Sequence, residues 1–237
     1  MEDYHNPFNG FLKSGIIILL SVCSLISNAQ QKLKFGVHAD PVISWFSTDI
    51  DAVSNLGSRP GFNFGLTVNK YFGKNYAFST GINVISAGGK LVSDSVTVFE
   101  SKGSDKVLIQ TTVQPEDVIN YNIQYVSIPL GLKLQTNQIG YITIFTDIGI
   151  DPKVVVGGKA AIPSLDITKL KANKELKFFN LSYHIIAGIE YGVGGNTAVV
   201  LGLGFDNNFF DITTDNNDQP DDKVSHKLLS FRLGVNF

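Results

Sequence analysis

Three side chains suited to nucleophilic chemistry occur within one short stretch of the sequence. Ser182, His184 and Glu190 are separated by even numbers of residues, so they share one face if the stretch is an extended strand. Nucleophilic catalysis needs a serine within hydrogen-bonding reach of a histidine and a third group that orients the base. Glu190 lies several same-face positions beyond His184, which does not suit that role. We therefore expect a hydrogen-bonding network here and no enzymatic activity.

Four charged residues occupy the same kind of position, on the small and polar face of segments whose other face is apolar. They are Arg232, Glu190, Lys133 and Asp147. If that face is enclosed, these charges must pair, because an unpaired buried charge is costly. We expect an internal salt-bridge network that also includes His184. A path for protons or ions through the network is the alternative interpretation.

Two loops of opposite charge form a second candidate site. The basic loop carries Lys159, Lys169, Lys171 and Lys174. The acidic loop carries Asp215, Asp218, Asp221 and Asp222. Oxygen-rich loops can bind Ca²⁺, but this one lacks the glycine and the closing glutamate of an EF-hand loop, so a solvated loop is expected. The basic loop is suited to attract anionic lipid head groups or the acidic loop, and we take the pair as a candidate interaction surface.

The composition restricts the class of protein. The chain has 237 residues, of which 43% are hydrophobic and 17% charged, with a mean hydropathy of +0.12. These values exclude a disordered chain. The net charge of −2 offers no basic footprint for nucleic acid, and no apolar run reaches the roughly 20 residues of a spanning helix. No sequence motif indicates a cofactor or a metal.

The N-terminus has the features of a secretory signal peptide. Lys13 precedes a short apolar stretch over 15–26, which is followed by Ser27-Asn28-Ala29. A basic residue, an apolar stretch and a small-x-small site predict cleavage after Ala29. Residues 1–29 are therefore expected to leave, and residues 30–237 to form the mature domain. Acylation of Cys23 is the alternative, but the preceding Val22 does not suit a lipoprotein signal.

Alternation of apolar with small polar residues dominates the remaining sequence and predicts strands with two different faces. The last strand shows it most clearly, with apolar residues at Leu229, Phe231, Leu233, Val235 and Phe237. Seven further strands are predicted at about 33–46, 62–68, 76–84, 126–134, 140–156, 181–191 and 199–205. Short connections alternate with long ones at 47–60, 87–121, 157–177 and 207–225. This rhythm is typical of an up-and-down meander of eight strands.

The composition of the polar face indicates whether the apolar face of the sheet points into the barrel or outward. A water-facing exterior should be rich in Lys, Glu and Asp, but this face is mostly Gly, Ser, Thr, Asn and Ala. Small polar side chains suit the narrow lumen of a barrel of about eight strands. The apolar face would then contact lipid, and the sheet must close because hydrocarbon offers no partner to free backbone groups. We therefore predict an all-β, eight-stranded antiparallel transmembrane β-barrel, with a soluble barrel or sandwich as the alternative.

The positions of the aromatic residues favour the same interpretation. One group lies near the long loops and comprises Trp45, Phe46, Tyr121, Phe178, Phe179, Phe209 and Phe210. A second group lies near the short turns and comprises Tyr71, Phe72, Tyr76, Tyr141, Tyr191 and Phe237. Two aromatic girdles are typical of the two interfaces of a bilayer.

Several segments resemble the PorT-like outer-membrane β-barrel family of Bacteroidetes. They are 34–37 (KFGV), 125–130 (YVSIPL), 186–191 (IAGIEY) and the terminal Phe237. The resemblance covers about 33–237 and implies an outer-membrane barrel of a Gram-negative bacterium. It also implies that the last strand is the signal read by the barrel-insertion machinery. The founding member acts in secretion and gliding motility, although no residue set here matches a secretion-specific site.

The sequence thus leads to a functional expectation as well as a fold. We expect a non-enzymatic outer-membrane protein, with both termini in the periplasm and long loops outside, that serves as a scaffold or interaction module. Its expected partners are outer-membrane lipid, the insertion machinery and proteins that contact the loops, with no nucleic acid and no cofactor. A narrow, porin-like pore for small solutes is the alternative function.

Overall fold

The computed structural model describes residues 33–49, 53–94, 96–102, 108–214 and 223–237. The predicted signal peptide lies outside these ranges, as do four residues of the predicted acidic loop: Asp215, Asp218, Asp221 and Asp222. No helix within the described ranges is long and apolar enough to cross a membrane.

Almost all of the described chain is β-strand. The strands are β1 (Leu33–Ser47), β2 (Val53–Gly57), β3 (Arg59–Tyr71), β4 (Tyr76–Ser93), β5 (Thr97–Lys102), β6 (Leu108–Val113), β7 (Val118–Ser127), β8 (Leu130–Gln135), β9 (Ile142–Ile162), β10 (Ile167–Lys171), β11 (Phe179–Gly194), β12 (Thr197–Asn208) and β13 (Ser225–Asn236). A short 3-10 helix spans Pro163–Leu165. β5 and β6 form a separate hairpin in the connection between β4 and β7.

Eight antiparallel crossings close into a ring. Neighbours in the ring are β1, β3, β4, β7 with β8, β9, β11, β12 and β13, and β13 pairs again with β1. Two hydrogen bonds tie the start of β1 to the residue after β13, from Phe35 N to Phe237 O at 3.0 Å and from Phe237 N to Phe35 O at 2.8 Å. The predicted eight-stranded up-and-down barrel is confirmed.

One crossing is divided into β7 and β8 at Ile128 and Pro129. Proline has no backbone N–H, so it is tolerated in a sheet where the ladder is interrupted. Ile128 N still donates to Pro152 O at 3.0 Å, and both segments pair with β4 on one side and β9 on the other. The two segments therefore form one crossing, as the continuous alternation over 126–134 predicts.

The two faces of the wall differ as the alternation predicts. Large apolar side chains on the outer face are exposed, for example Phe64 at 52% and Leu203 at 55%. Charged and amide side chains on the inner face are buried, and Asp40 is 0% exposed. A water-soluble barrel would show the reverse arrangement, so the outer face is matched to hydrocarbon.

Aromatic side chains form two outward-facing belts. Near the long loops, the rings of Trp45 and Phe205 lie 6.5 Å apart and those of Tyr183 and Phe209 lie 5.4 Å apart. Near the short turns, the paired rings are Phe35 with Phe237, Phe72 with Tyr76, and Tyr141 with Tyr191. We call these two ends of the barrel the long-loop rim and the short-turn rim.

Three aromatic residues assigned to the belts from the sequence lie inside the barrel instead. Phe46, Tyr121 and Tyr71 are buried. Side chains alternate along a strand, so adjacent residues such as Trp45 and Phe46 point to opposite faces. The prediction was wrong for these three because nearness to a strand end does not determine the face.

Three neighbouring strands continue past the ring at the long-loop rim. β4, β7 and β9 extend there, and β2 and β10 pair with their free edges in the order β2-β4-β7-β9-β10. We call this five-stranded extension the outer sheet. Loops were expected over 87–121 and 157–177, whereas β4 runs to Ser93 and β9 to Ile162. The expectation was wrong because the alternation reverses here: outward positions become polar, as at Asn122 and Lys159, and inward positions become apolar.

The inward positions of the outer sheet build an apolar cap over the ring. Ile123 on β7 and Ile162 on β9 are fully buried. They pack in one cluster with Phe46 from β1 and with Phe99 and Val113 from the β5–β6 hairpin. The loops after β10 and β12 complete the cluster with Leu176, Ile212 and Val224. The long-loop rim is therefore covered by a hydrophobic core of its own.

Two glycines make room for charged side chains in the middle of the lumen. Gly131 and Gly149 face each other on β8 and β9, and Gly149 also faces His184 on β11. A methyl group on Gly149 would collide with the carbonyl oxygen of Leu130 and lie 2.7 Å from a ring carbon of His184. The absence of side chains at these positions therefore allows a buried imidazole to fit.

We expect Gly149→Ala to lower the free energy of unfolding by about 1–3 kcal/mol, the usual cost of overpacking a filled interior. Urea unfolding of protein refolded in detergent micelles measures this change. Gly192→Ala on the neighbouring strand β11 is the matched control, because its added methyl group meets nothing closer than 3.6 Å. Equal stability of the two variants would contradict the close packing around His184.

Candidate functional site

The first charged layer of the lumen lies near the short-turn rim and is centred on Glu190 of β11. Its Oε1 accepts hydrogen bonds from Lys133 Nζ on β8 and, at 2.8 Å, from Asn236 Nδ2 on β13. Lys34 Nζ lies 3.9 Å from the other oxygen. Lys133 Nζ is also 4.5 Å from the centre of the Phe145 ring, which is a cation–π distance. One carboxylate thus joins strands that are far apart in sequence.

The second layer is centred on Asp40 of β1. Its Oδ2 lies 2.9 Å from His38 Nδ1, accepts a hydrogen bond from Asn63 Nδ2 at 3.1 Å and accepts one from Arg232 Nε at 3.3 Å. Its Oδ1 accepts a hydrogen bond from the backbone N–H of Leu233 at 3.2 Å. These partners offset the desolvation of a carboxylate that has no contact with solvent.

His184 on β11 lies between two carboxylates of β9. Its Nδ1 is 2.8 Å from Asp151 Oδ2 and its Nε2 is 3.6 Å from Asp147 Oδ1. Ser182, on the same face, donates its hydroxyl to Asp206 Oδ2 at 2.7 Å instead. The serine–histidine contact that nucleophilic catalysis requires is therefore not formed, and Glu190 belongs to a different layer.

A third layer lies beneath the apolar cap. Lys153 Nζ on β9 donates to both oxygens of Asp206 on β12, at 3.0 and 3.2 Å. The ammonium also lies 5.5 Å from the centre of the Tyr125 ring. The Tyr125 hydroxyl is 3.0 Å from His226 Nδ1, and the His226 ring packs 5.0 Å from Phe46. Polar lumen and apolar cap therefore meet at this layer.

Five residues were assigned to the lumen from the sequence, and the structure places all of them there: Lys133, Asp147, His184, Glu190 and Arg232. Sequence reasoning missed several of their partners, which are His38, Asp40, Asp151, Lys153 and Asp206. Most of these lie on β1 and β9, where Pro41 and Pro152 replace apolar residues at outward positions and weaken the alternation. Counting in steps of two along each strand could have found them, since every missed side chain lies on the inner face.

The described residues line two small cavities between the layers. Their volumes are about 50 and about 20 Å³, and both are lined by Thr67, Ser79, Asp147 and Arg232. A water molecule needs roughly 10–15 Å³ of such volume, so the cavities have room for a few waters. Within the described ranges, no group of three or more His, Cys, Asp or Glu side chains is arranged to hold a metal ion.

The described parts of the loops after β10 and β12 are joined by hydrogen bonds to Asp211. Its Oδ2 accepts a hydrogen bond from Lys177 Nζ at 2.6 Å, and its Oδ1 accepts from the backbone N–H groups of Thr213 and Val224 at 3.1 and 2.9 Å. Lys177 N also donates to Ile212 O at 2.9 Å. The described parts of these two loops therefore form one folded unit over the barrel.

The structure separates the lysines that were assigned to a single basic loop. Lys159 lies on β9, and Lys169 and Lys171 lie on β10; all three are exposed. Lys159 and Lys171 are directly opposite each other in the ladder between the two strands. Lys174 lies beyond β10 and is half-buried. The basic residues thus belong mainly to the edge of the outer sheet.

The apolar residues of the last strand lie on the outer face of β13. They are Leu229, Phe231, Leu233, Val235 and Phe237, and the last four are exposed. The surface that contacts lipid and the expected insertion signal are therefore the same set of side chains. Recognition by the insertion machinery stays a prediction.

An antiparallel ring with an apolar outside, aromatic belts and a filled, charged inside defines a small transmembrane β-barrel. The chain belongs to the family described as "outer membrane protein beta-barrel domain", whose sequence model matches residues 27–235. It is an outer-membrane β-barrel protein.

Several solved structures are similar to this chain at low identity. Neisserial surface protein A is 10% identical, with 85% of this chain and 95% of that chain covered and a TM-score of 0.47. Outer membrane protein OprG from Pseudomonas aeruginosa is 9% identical, with 87% and 95% covered and a TM-score of 0.44. The attachment invasion locus protein Ail of Yersinia pestis is 12% identical, with 88% and 100% covered and a TM-score of 0.39. No curated protein matches the sequence.

We expect Lys133→Met to destabilise the barrel by about 3–5 kcal/mol, because it leaves Glu190 buried without its nearest cation. Adding Glu190→Leu to Lys133→Met should restore most of the loss, since the buried carboxylate is then removed together with its nearest cation. Urea unfolding of both single variants and the double variant gives the coupling between the two side chains. Lys70→Met, at a half-exposed position on β3, is the control with little expected effect. Losses that simply add would rule out this pairing.

Proposed function

We propose that this protein is a non-enzymatic outer-membrane module that acts through its long-loop rim, as a scaffold or docking site for other proteins. Barrels of this class place their short turns in the periplasm and their longer loops outside, so the outer sheet and its loops are assigned to the cell surface. Residues 1–29 are proposed as the cleaved signal that directs export. Outer-membrane lipid and the barrel-insertion machinery are its expected partners during assembly.

The observation that supports this proposal is the filling of the barrel. Ion-paired side chains cross the lumen in three layers, and the apolar cap covers them at the long-loop rim. Charges paired in this way stabilise the closed wall and leave little free passage. Function is therefore more readily placed on the rim than in the lumen, as is common for loops on a rigid scaffold.

The loops themselves also favour a docking role. They are folded by the Asp211 hydrogen bonds and by packing into the cap, so they present a defined surface. At the same rim, exposed apolar side chains come from β2, the connection before β5 and the 3-10 helix: Leu56, Val96 and Leu165. Exposed apolar groups on an ordered surface are common features of protein contacts.

A link to protein secretion or motility is the more specific form of the proposal. It rests on the resemblance of the 125–130 segment and the last strand to the PorT-like family of Bacteroidetes. A strain that lacks the protein should then show a changed set of secreted proteins or altered motility. An unchanged secretome and unchanged motility would contradict this link.

A narrow pore for small solutes is the second candidate function. The two lumen cavities favour it, because they share four lining residues and lie along the barrel interior. Against it stands their size, which suits a few water molecules.

We expect the wild-type protein to produce no steady ion conductance in planar bilayers, because the cap and the charged layers fill the lumen. Phe46→Ala, which removes a ring from the cap, should allow brief openings. Phe64→Ala is the matched control, since it removes the same ring from the lipid-facing side. Steady conductance of the wild-type protein would favour the pore over the docking module.

We expect the triple variant Leu56→Ser, Val96→Ser, Leu165→Ser to fail to restore the secretome or motility of the deletion strain. The double variant Ile139→Ser, Val193→Ser removes exposed apolar side chains from the short-turn rim and should restore them. A heat-dependent shift on SDS gels verifies that each variant is folded. Rescue by the triple variant, or failure of the double variant alone, would contradict a docking role for the long loops.

A further inference from the structure

Three exposed lysines stand together on the outer wall of the outer sheet. Lys159 on β9 faces Lys171 on β10 across the ladder. Leu170 is packed against the apolar cap, so Lys169 and Lys171, which flank it, point the opposite way. We call Lys159, Lys169 and Lys171 the lysine wall.

None of the described strands around the lysine wall places a carboxylate on the outer face. The sequences of β4, β7 and β10 contain no Asp or Glu. The two acidic residues of β9, Asp147 and Asp151, are buried in the lumen beside His184. Like charges directly opposite each other in a sheet are unfavourable. An external anion would therefore stabilise the Lys159–Lys171 pair by offsetting the repulsion between the two ammonium groups.

The lysine wall lies immediately beyond the apolar belt of the barrel. Val156 on β9 is an exposed apolar residue, and Lys159 follows it by three positions, which is at most about 10 Å along a strand. The ladder shifts register at Val156, because Tyr125 pairs with Val155 and Gln124 with Gly157. This bulge shifts the alternation by one residue, so Val156 and Lys159 both lie on the outer face. Phe178 and Phe179 are exposed beside this part of β9, and Phe178 O accepts a hydrogen bond from Val155 N at 2.8 Å. Exposed aromatics mark the membrane interface, so the ammonium groups are at the level of lipid head groups.

We propose that the lysine wall binds the phosphate-bearing head group of a lipid in the outer leaflet. The acyl chains of that lipid lie on Val156, Phe178 and Phe179. The proposal rests on the orientation given above, with the long-loop rim at the cell surface. Lysines bind phosphate as point charges, and their flexible stems reach along an apolar surface toward the interface.

A lipid fits this surface better than a soluble anion. A free phosphate or an acidic polymer would engage only the three charges. A lipid engages the charges and the adjoining apolar wall together, because both belong to one continuous outer face of β9. The site would hold a lipid at one side of the barrel, since the lysines lie at the β9–β10 edge.

Native mass spectrometry of the full-length protein in detergent micelles tests the site with phosphatidic acid. Neutralising two lysines near a lipid surface should weaken binding roughly 30-fold. We expect this loss for Lys159→Gln with Lys171→Gln, and retained binding for Lys159→Arg with Lys171→Arg. Lys70→Gln with Lys74→Gln removes the same charge near the short-turn rim and should bind like the wild type. Equal binding by the two glutamine double variants would overturn the proposal.

Two further probes separate the sources of the anion. Diacylglycerol has the same tails without the phosphate and should bind weakly, and inorganic phosphate alone should not displace phosphatidic acid. Tight binding of diacylglycerol, or displacement by equimolar inorganic phosphate, would overturn a lipid head-group site. Failure of this test leaves the docking role of the loops intact, because that role is read from complementation.

The urea unfolding midpoint provides a second readout, because phosphatidic acid should reverse the order of stability of the variant and the wild type. Without phosphatidic acid, Lys159→Gln with Lys171→Gln should raise the urea midpoint slightly, because it removes a like-charge pair. With phosphatidic acid, the wild type should become the more stable of the two. A variant that is less stable than the wild type in both conditions would show that the lysines serve the fold, and would overturn the proposal.

Discussion

Backbone hydrogen bonding in hydrocarbon is the constraint on which the rest of this structure depends. A free N–H or C=O group in the bilayer costs several kcal/mol, so the sheet has no permissible edge. The first and last strands therefore pair along their length, down to the bonds between Phe35 and Phe237. Even the interruption at Pro129 is bridged by the bond from Ile128 to Pro152. Closure of the ring then determines what space is left inside.

That space is narrow, and its contents follow from its size. Charged side chains enclosed in it must find partners, which explains the separate layers around Glu190, Asp40 and Asp206. Each layer connects strands that are distant in sequence, so the ion pairs stabilise the barrel wall from inside the lumen. The same filling leaves cavities of water size, and the surface that remains for contact with other molecules is the outside.

Beyond the lipid, water can pair with free backbone groups, so the sheet no longer has to close and its two faces exchange polarity. The outer sheet exposes polar residues and buries apolar ones, as a water-soluble sheet does. Its inner face becomes the cap, its edges carry β2 and β10, and its outer wall carries the lysines next to the apolar belt. The same strands thus form part of the membrane-spanning wall, the apolar cap and the exposed outer sheet. The proposals for the loops and for the lysine wall both arise from this continuation.

The sequence by itself determined the ring of strands and the face of most residues within it, because alternation is a local property with a period of two. Lys133 and Glu190 were assigned to the lumen in this way. It did not determine which charges meet: Asp40 and Arg232 pair across 192 positions, and that depends on how the closed ring staggers its strands. It also did not reveal the outer sheet, where the alternation reverses, or the opposite directions of Trp45 and Phe46. Tertiary structure decided these points. The stagger of the strands selects which charged side chains pair, and the height at which the barrel wall leaves the lipid sets where the alternation of apolar and polar residues reverses.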